Sequence, residues 1–142
     1  MSELLEILHV AGAVFIVGPM VILPMFALRA LRSGAGTQVR LLASSSLGFG
    51  IATIVVAALG FGAMAMADAD RGWSITTPWI LVSVIAVTVA CVVHLAVVVP
   101  ALFHAGGDGG ERSFSYALIA TTSRLVAILM VVVVILMVVR PG

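Results

Sequence analysis

The chain has 142 residues, of which 63% are hydrophobic and 9% are charged, and its mean hydropathy is +1.31. A soluble domain of this length would carry about 25% charged residues, so this composition excludes an ordinary soluble globular protein. The formal net charge is only +1 and the sequence has no basic run, which argues against nucleic-acid binding by phosphate neutralisation. We therefore predict one lipid-embedded domain over residues 1–142.

Four apolar stretches are long enough to cross a bilayer, since a transmembrane helix needs about 20 apolar residues. The stretches are 4–28, 41–67, 78–103 and 116–139. None alternates as a membrane β-strand does, and a helix satisfies its own backbone hydrogen bonds in lipid. Short connections make consecutive spans antiparallel neighbours. The predicted fold is all-α, an integral membrane up-down four-helix bundle.

The first stretch follows an acidic start, with Glu3 and Glu6, and is too long for the core of a signal peptide. We interpret it as a retained span.

Arginine placement predicts which way the bundle faces. The first and third connections hold or adjoin four arginines: Arg29, Arg32, Arg40 and Arg112. The opposite side has only Arg71 and Arg140. Cytoplasmic loops carry the basic excess, so both termini and the 68–77 connection are expected outside an inner (plasma) membrane. Trp73 and Trp79 are expected at that outer edge, where aromatic belts form.

Small residues predict helix-packing positions. In the second span they recur at every fourth position: Ser44, Gly48, Ala52, Val56 and Gly60. Such spacing lets another helix approach closely. Small residues on the first and fourth spans are interpreted in the same way: Gly12, Gly18, Ala117, Ala120 and Thr121. Pro19 and Pro24 each remove a backbone donor and are expected to kink the first span.

Two histidines within the spans are candidate ligands. His9 lies near the outer end of the first span, where it is either an interfacial histidine or a ligand of haem or metal. His94 lies deep in the third span, either as a hydrogen-bonded buried histidine or, with Cys91 three positions earlier, as part of a metal site. At about 1.5 Å per residue, His9 is roughly 8 Å and His94 roughly 24 Å from the outer end. That difference argues against a haem held between them.

Arg124 is the one charge well inside a predicted span, and fifteen apolar residues follow it. Its long side chain can reach the cytoplasmic headgroups. The alternative is a bound anionic group, such as a lipid headgroup or a haem propionate. The acidic residues all lie outside the membrane core, which argues against cation transport through carboxylate relays.

The first and last helices carry a family resemblance. Leu8-His9-Val10-Ala11-Gly12-Ala13-Val14 with Gly18, and Ser123-Arg124-Leu125 with the closing Met137–Gly142 segment, resemble small four-span membrane proteins of unknown function. The opening helix is also similar to that of CopD-type copper-resistance proteins and of HemJ-type membrane proteins. The resemblance implies that His9 is a haem-associated histidine. The chain departs from the HemJ-type pattern in having no lysine, and its seven methionines form no methionine–histidine cluster.

These observations lead to a non-enzymatic accessory or interaction subunit, packed on helices of a larger membrane complex such as a respiratory complex. The alternative is a haem b- or copper-handling protein that uses His9, with Arg124 holding a propionate. A second alternative is a small-molecule transporter. No cofactor is expected on the first interpretation, and haem b is the cofactor of the second. The expected partners are the lipid bilayer and other membrane subunits or a second copy of the chain.

Overall fold

The computed structural model describes residues 2–66, 72, 74, 76–107 and 112–141, and within them the chain is helical and has no strand. The first span contains α1 (Ser2–Gly12), a π-helical turn (Ala13–Val17) and α2 (Gly18–Arg32). The second span is α3 (Gly36–Ala65). The third contains α4 (Pro78–Val93), a second π-helical turn (His94–Val98) and α5 (Val99–Ala105), and the fourth is α6 (Arg112–Val139).

The four spans pack in a ring, each against the spans that precede and follow it, with the first also against the fourth. Contacts between their ends fix the direction of each span. Glu6 Oε1 lies 3.7 Å from Arg140 Nη2, which joins the start of the first span to the end of the fourth. A Cβ built at Gly36 would lie 3.1 Å from the Gly106 oxygen, which joins the first and third connections. The all-α four-helix prediction is therefore confirmed.

Two names describe the ends of the bundle. The terminal end holds Glu6 and Arg140, and the arginine end holds Arg29, Arg32 and Arg40.

The helices are long and apolar enough to make this a multi-pass membrane protein. The most apolar 18-residue segments within Glu3–Arg32, Gly36–Ala65, Pro78–Ala105 and Ser115–Val139 have mean hydropathies of 2.2, 2.1, 2.7 and 2.7. Large apolar side chains face outward along every span, with Phe15 74% and Val138 77% exposed. An aqueous surface does not accommodate such a continuous apolar exterior, whereas lipid does.

At the arginine end the helices extend beyond the apolar stretches from which we predicted the spans. The first runs to Arg32, the second starts at Gly36 and the third runs to Ala105. These extra turns carry arginines and polar residues, which a search for continuous apolar sequence leaves out. The predicted end of the second span, residue 67, lies outside the described residues.

The first connection is short because α2 ends in a tight glycine turn. Gly34 has φ +75°, a left-handed conformation that favours glycine. The Ala35 N–H donates to the Ala30 carbonyl at 3.0 Å, and the Gly34 N–H donates to the Leu31 carbonyl at 3.2 Å. These two bonds satisfy the last carbonyls of α2 and turn the chain directly into α3.

Both π-helical turns stand just before a proline. The first ends two residues before Pro19, and the second ends two residues before Pro100. A proline ring collides with the carbonyl four residues earlier, and the wider π turn relieves that collision. The first span thus departs from α-helical geometry just before Pro19, whereas Pro24 is buried inside a continuous α2.

Trp79 lies in the first turn of α4, at the terminal end where it was expected, but its side chain is only 8% exposed. It packs into the bundle and does not form a lipid-facing belt. Several predicted loop residues lie outside the described part of the chain: Asp68, Asp70, Arg71, Trp73, Asp108 and Glu111.

Candidate functional site

His9 is attached to the second span. Its Nδ1 lies 2.7 Å from the Val56 carbonyl oxygen. Because a carbonyl oxygen only accepts, Nδ1 carries the proton and donates, which leaves Nε2 unprotonated in the neutral ring. The ring also rests on Gly60, where an added Cβ would lie 2.6 Å from His9 Cε1. The glycine therefore makes room for the half-buried imidazole.

His94 is attached to the same helix through its other ring nitrogen, Nε2. Its Nε2 lies 3.1 Å from the Ser46 carbonyl oxygen and 3.2 Å from the Ser46 hydroxyl. A Cβ at Gly50 would lie 2.9 Å from His94 Cδ2 and 2.7 Å from Leu95 Cδ2. His94 is 1% exposed, and its Nδ1 is buried without a hydrogen-bond partner.

The two histidines do not share a ligand. They bond to Ser46 and Val56, which are ten residues apart on α3, or about 15 Å along its axis. The hypothesis of a haem clamped between them fails on this separation, as the difference in predicted depth indicated.

The described residues do not provide a complete set of ligands for a metal ion. Among them, no three histidine, cysteine or acidic side chains come together. Cys91 is free and buried one helical turn before His94. The pair therefore has no third ligand of these types among the described residues, although a protein zinc site uses three or four. A haem has different needs, since it brings four nitrogens of its own and takes one or two axial ligands from the protein. His9, with Nδ1 bonded and Nε2 unprotonated, meets that need.

Three arginines converge on a groove at the arginine end, between α2 and α6. The groove has a volume of about 200 Å³ and is lined by Arg29, Arg32 and Arg124 with Tyr116 and Ser123. The Arg32 guanidinium lies 4.8 Å from the Tyr116 ring centroid. The Arg29 guanidinium lies 5.9 Å from the ring centroid of Phe26. We name this the arginine groove.

Arg124 and His9 do not belong to one site. Arg124 lines the groove beside Met25, which is sixteen residues from His9 along the first span, or about 24 Å. His9 and Arg124 are therefore too far apart for His9 to bind the iron and Arg124 a propionate of the same haem, and that part of the haem hypothesis is wrong.

Some of the predicted packing positions are filled, which means that a side chain of a neighbouring span lies against them. Others are open, with no neighbouring atom of the described residues close to them. Gly12 is filled, since an added Cβ would lie 2.8 Å from Val56 Cγ2. Gly18 and Gly48 have nothing within 4 Å of an added Cβ. Three other small side chains are exposed on the outside of their helices: Ser44, Ala117 and Thr121. Ala52 is half-buried, and half-buried Ala120 lines the arginine groove.

Several residues of these arrangements were not predicted as site residues. Ser46 and Gly50 surround His94, and Tyr116 joins Arg32 across the groove. The sequence contains one usable signal, the spacing of Arg29 and Arg32, which places them one turn apart on the same helix face.

Comparison of the chain with protein-family models, curated proteins and solved structures finds no match.

Proposed function

We propose that this chain is a non-enzymatic accessory subunit that docks onto a transmembrane helix of another membrane protein. The proposed contact is the docking face, formed by Ser44, Gly48 and Ala52 on the outside of α3. The observation that carries the proposal is the open space at Gly48.

The other interior glycines of α3 are each covered by a neighbouring span. Gly50 receives His94, Gly60 receives His9, and Gly62 has Leu5 Cδ1 at 3.7 Å from an added Cβ. Gly48 receives nothing from this chain. Glycine inside a helix costs about 1 kcal/mol relative to alanine, so its presence is best explained where another backbone or side chain comes close. In membranes, small residues at intervals of four mark such contacts.

The occupant is an apolar helix with a branched or long side chain that fits at Gly48. The connections are short, as residues 33–35 illustrate, so the chain has little extramembrane surface with which to contact a partner. We therefore expect the chain to bind its partner through the lipid-facing surface of its helices. A helix of another subunit is favoured because the exposed surface of the spans is apolar and Gly48 leaves room on it for a side chain.

We place this subunit in a bacterial plasma membrane, as part of a larger complex such as a respiratory complex. The arginine end supports an orientation with the termini outside, because Arg29, Arg32 and Arg40 lie together there.

Photocrosslinking in the source membrane tests the docking proposal. A benzophenone amino acid in place of Ile51, which is 53% exposed and one turn from Gly48, leaves the docking face intact. The expected product is an adduct with one other membrane protein, which peptide mass spectrometry identifies. The same adduct should be recovered when an affinity tag is placed on that other protein instead of on this chain. Gly48→Leu should abolish the adduct, since its side chain fills the open space.

Thr88→Leu is the matched control, because Thr88 is an exposed small residue in another span. It should leave the adduct unchanged. An adduct of twice the mass of the chain would overturn the proposal in favour of self-association. Adducts with lipid alone would overturn it in favour of a lipid-covered face.

A second candidate function, haem b binding by His9, is favoured by one observation. The Nδ1–H bond to the Val56 carbonyl orients the ring and leaves Nε2 as the coordinating nitrogen, which is the usual arrangement of a ligating histidine. A haem bound there would supply one-electron chemistry, and His9 would fix its position relative to α3.

The visible spectrum of the purified protein tests this candidate. A Soret band that His9→Ala removes and His94→Ala preserves would support haem binding at His9. A colourless protein after expression with added haem precursor would exclude it.

A further inference from the structure

We infer that the arginine groove binds the phosphate headgroup of an anionic membrane lipid. This site lies between the first and fourth spans, whereas the docking face lies on the second, so the inference is independent of the proposed accessory function.

The charge of the groove supports this ligand. Arg29, Arg32 and Arg124 all line one opening of about 200 Å³. The acidic residues of the described part of the chain are Glu3 and Glu6, and Glu6 lies at the opposite end with Arg140. An opening lined by cations, with no acidic residue among the described residues of its lining, favours an anionic ligand. Phosphate is the preferred anion, since guanidinium groups bind its oxygens in pairs.

Aromatic rings contact two of the guanidiniums. Arg32 lies over Tyr116 and Arg29 over Phe26, and cation–π attraction favours these positions of their charges. Arg124 is exposed, and the described residues offer it no carboxylate at the arginine end. We expect it to complete the site from the fourth span.

The depth of the groove identifies an amphiphile as the ligand. Arg32 is the last residue of α2, at the helix end where headgroups lie. Arg124 is eight residues beyond Tyr116 on α6, or about 12 Å further into the span. Met25 and Leu28 line the same opening and provide an apolar wall. The long Arg124 side chain can extend from this depth towards the helix end. A phosphate between Arg32 and Arg124, with an acyl chain along the apolar wall, fits both the charged and the apolar parts.

Lipid binding to the purified full-length chain tests the inference. Detergent-solubilised protein is titrated with phosphatidylglycerol or phosphatidylcholine, and retained lipid is counted by native mass spectrometry. Phosphatidylglycerol should bind more tightly than phosphatidylcholine. Arg124→Gln should weaken phosphatidylglycerol binding about five-fold, and the triple change at Arg29, Arg32 and Arg124 about 100-fold.

Arg40→Gln is the control, because it removes the same charge from an exposed arginine at the same end but outside the groove. It should leave the affinity unchanged, and an equal loss in this variant would overturn the inference in favour of general surface charge. Competition by inorganic phosphate at the same concentrations as the lipid would overturn it in favour of a free-phosphate site. If the triple variant does not fold, the single Arg124→Gln variant decides the outcome by itself.

Discussion

His9 and His94 are held by α3 through the same arrangement, displaced by ten residues. Each ring bonds to a carbonyl of α3, at Val56 or Ser46, and each lies on the glycine four residues further along. The first and third spans are thereby joined to opposite sections of one helix. Interspan hydrogen bonds in membranes are each worth about 0.6–2 kcal/mol, so these contacts fix the rotation of the spans more than they determine total stability.

A methyl group added at Gly50 is expected to destabilise the bundle. It would lie 2.9 Å from His94 Cδ2 and 2.7 Å from Leu95 Cδ2, and such overpacking costs about 1–3 kcal/mol. The matched change Gly48→Ala enters open space and should raise the free energy of unfolding by up to about 1 kcal/mol, through helix propensity alone. SDS titration of the purified protein, followed by circular dichroism, measures both. Equal effects of the two changes would contradict the packing described for Gly50.

Removal of the His94 side chain is expected to cost far more than removal of the Ser46 hydroxyl. His94→Ala leaves a cavity in the fully buried core and should lower the free energy of unfolding by about 2–4 kcal/mol. Ser46→Ala retains the backbone carbonyl at 3.1 Å from Nε2 and should cost less than about 1 kcal/mol. The same SDS titration measures both variants. A loss from Ser46→Ala as large as that from His94→Ala would show that the hydroxyl, and not the carbonyl, is the partner that matters.

The ion pair at the terminal end is expected to contribute little to stability. Its two side chains are 48% and 47% exposed and the charged atoms are 3.7 Å apart, so water screens their attraction. A double-mutant cycle with Glu6→Gln and Arg140→Gln should give a coupling energy below about 1 kcal/mol. A coupling above that range, measured by thermal unfolding at low and high salt, would mean that lipid excludes water from this pair.

The proposed orientation predicts which loops are accessible from each side of the membrane. In a Cys91→Ser background, a cysteine at Ser33 should react with an impermeant maleimide only after the cells are opened. A cysteine at Ser74 should react in intact cells, because Ser74 lies in the connection between α3 and α4 at the terminal end. Both positions are exposed, so accessibility to water is matched. The reverse labelling pattern would place the termini in the cytoplasm.

Apolar length predicted most of the fold, because lipid imposes one rule on every span: about 20 apolar residues and an internally bonded backbone. Short connections then predicted the antiparallel order. The π turns before Pro19 and Pro100 were not predicted, since a proline can also be accommodated by a simple kink.

The candidate sites were harder to predict because they depend on helix rotation and register. Residues four apart drift by about 40° per step around a helix, so the series from Ser44 to Gly60 turns through about 160°. Gly60 accordingly faces His9, while Gly48 faces outward. In the same way, only the relative heights of α2 and α6 bring Arg29 and Arg32 to Arg124, and no pattern within one span encodes those heights.

The two π turns also bear on how sequences of this kind vary. Each π turn accommodates one more residue than an α turn in the same length of helix. The first and third spans can therefore gain or lose a residue near 13–17 or 94–98 while both flanking segments keep their faces. A gap anywhere in α3 would instead rotate everything beyond it by about 100° and separate the histidines from their glycines. Homologous sequences are thus expected to differ in length at the π turns and to align without gaps along α3.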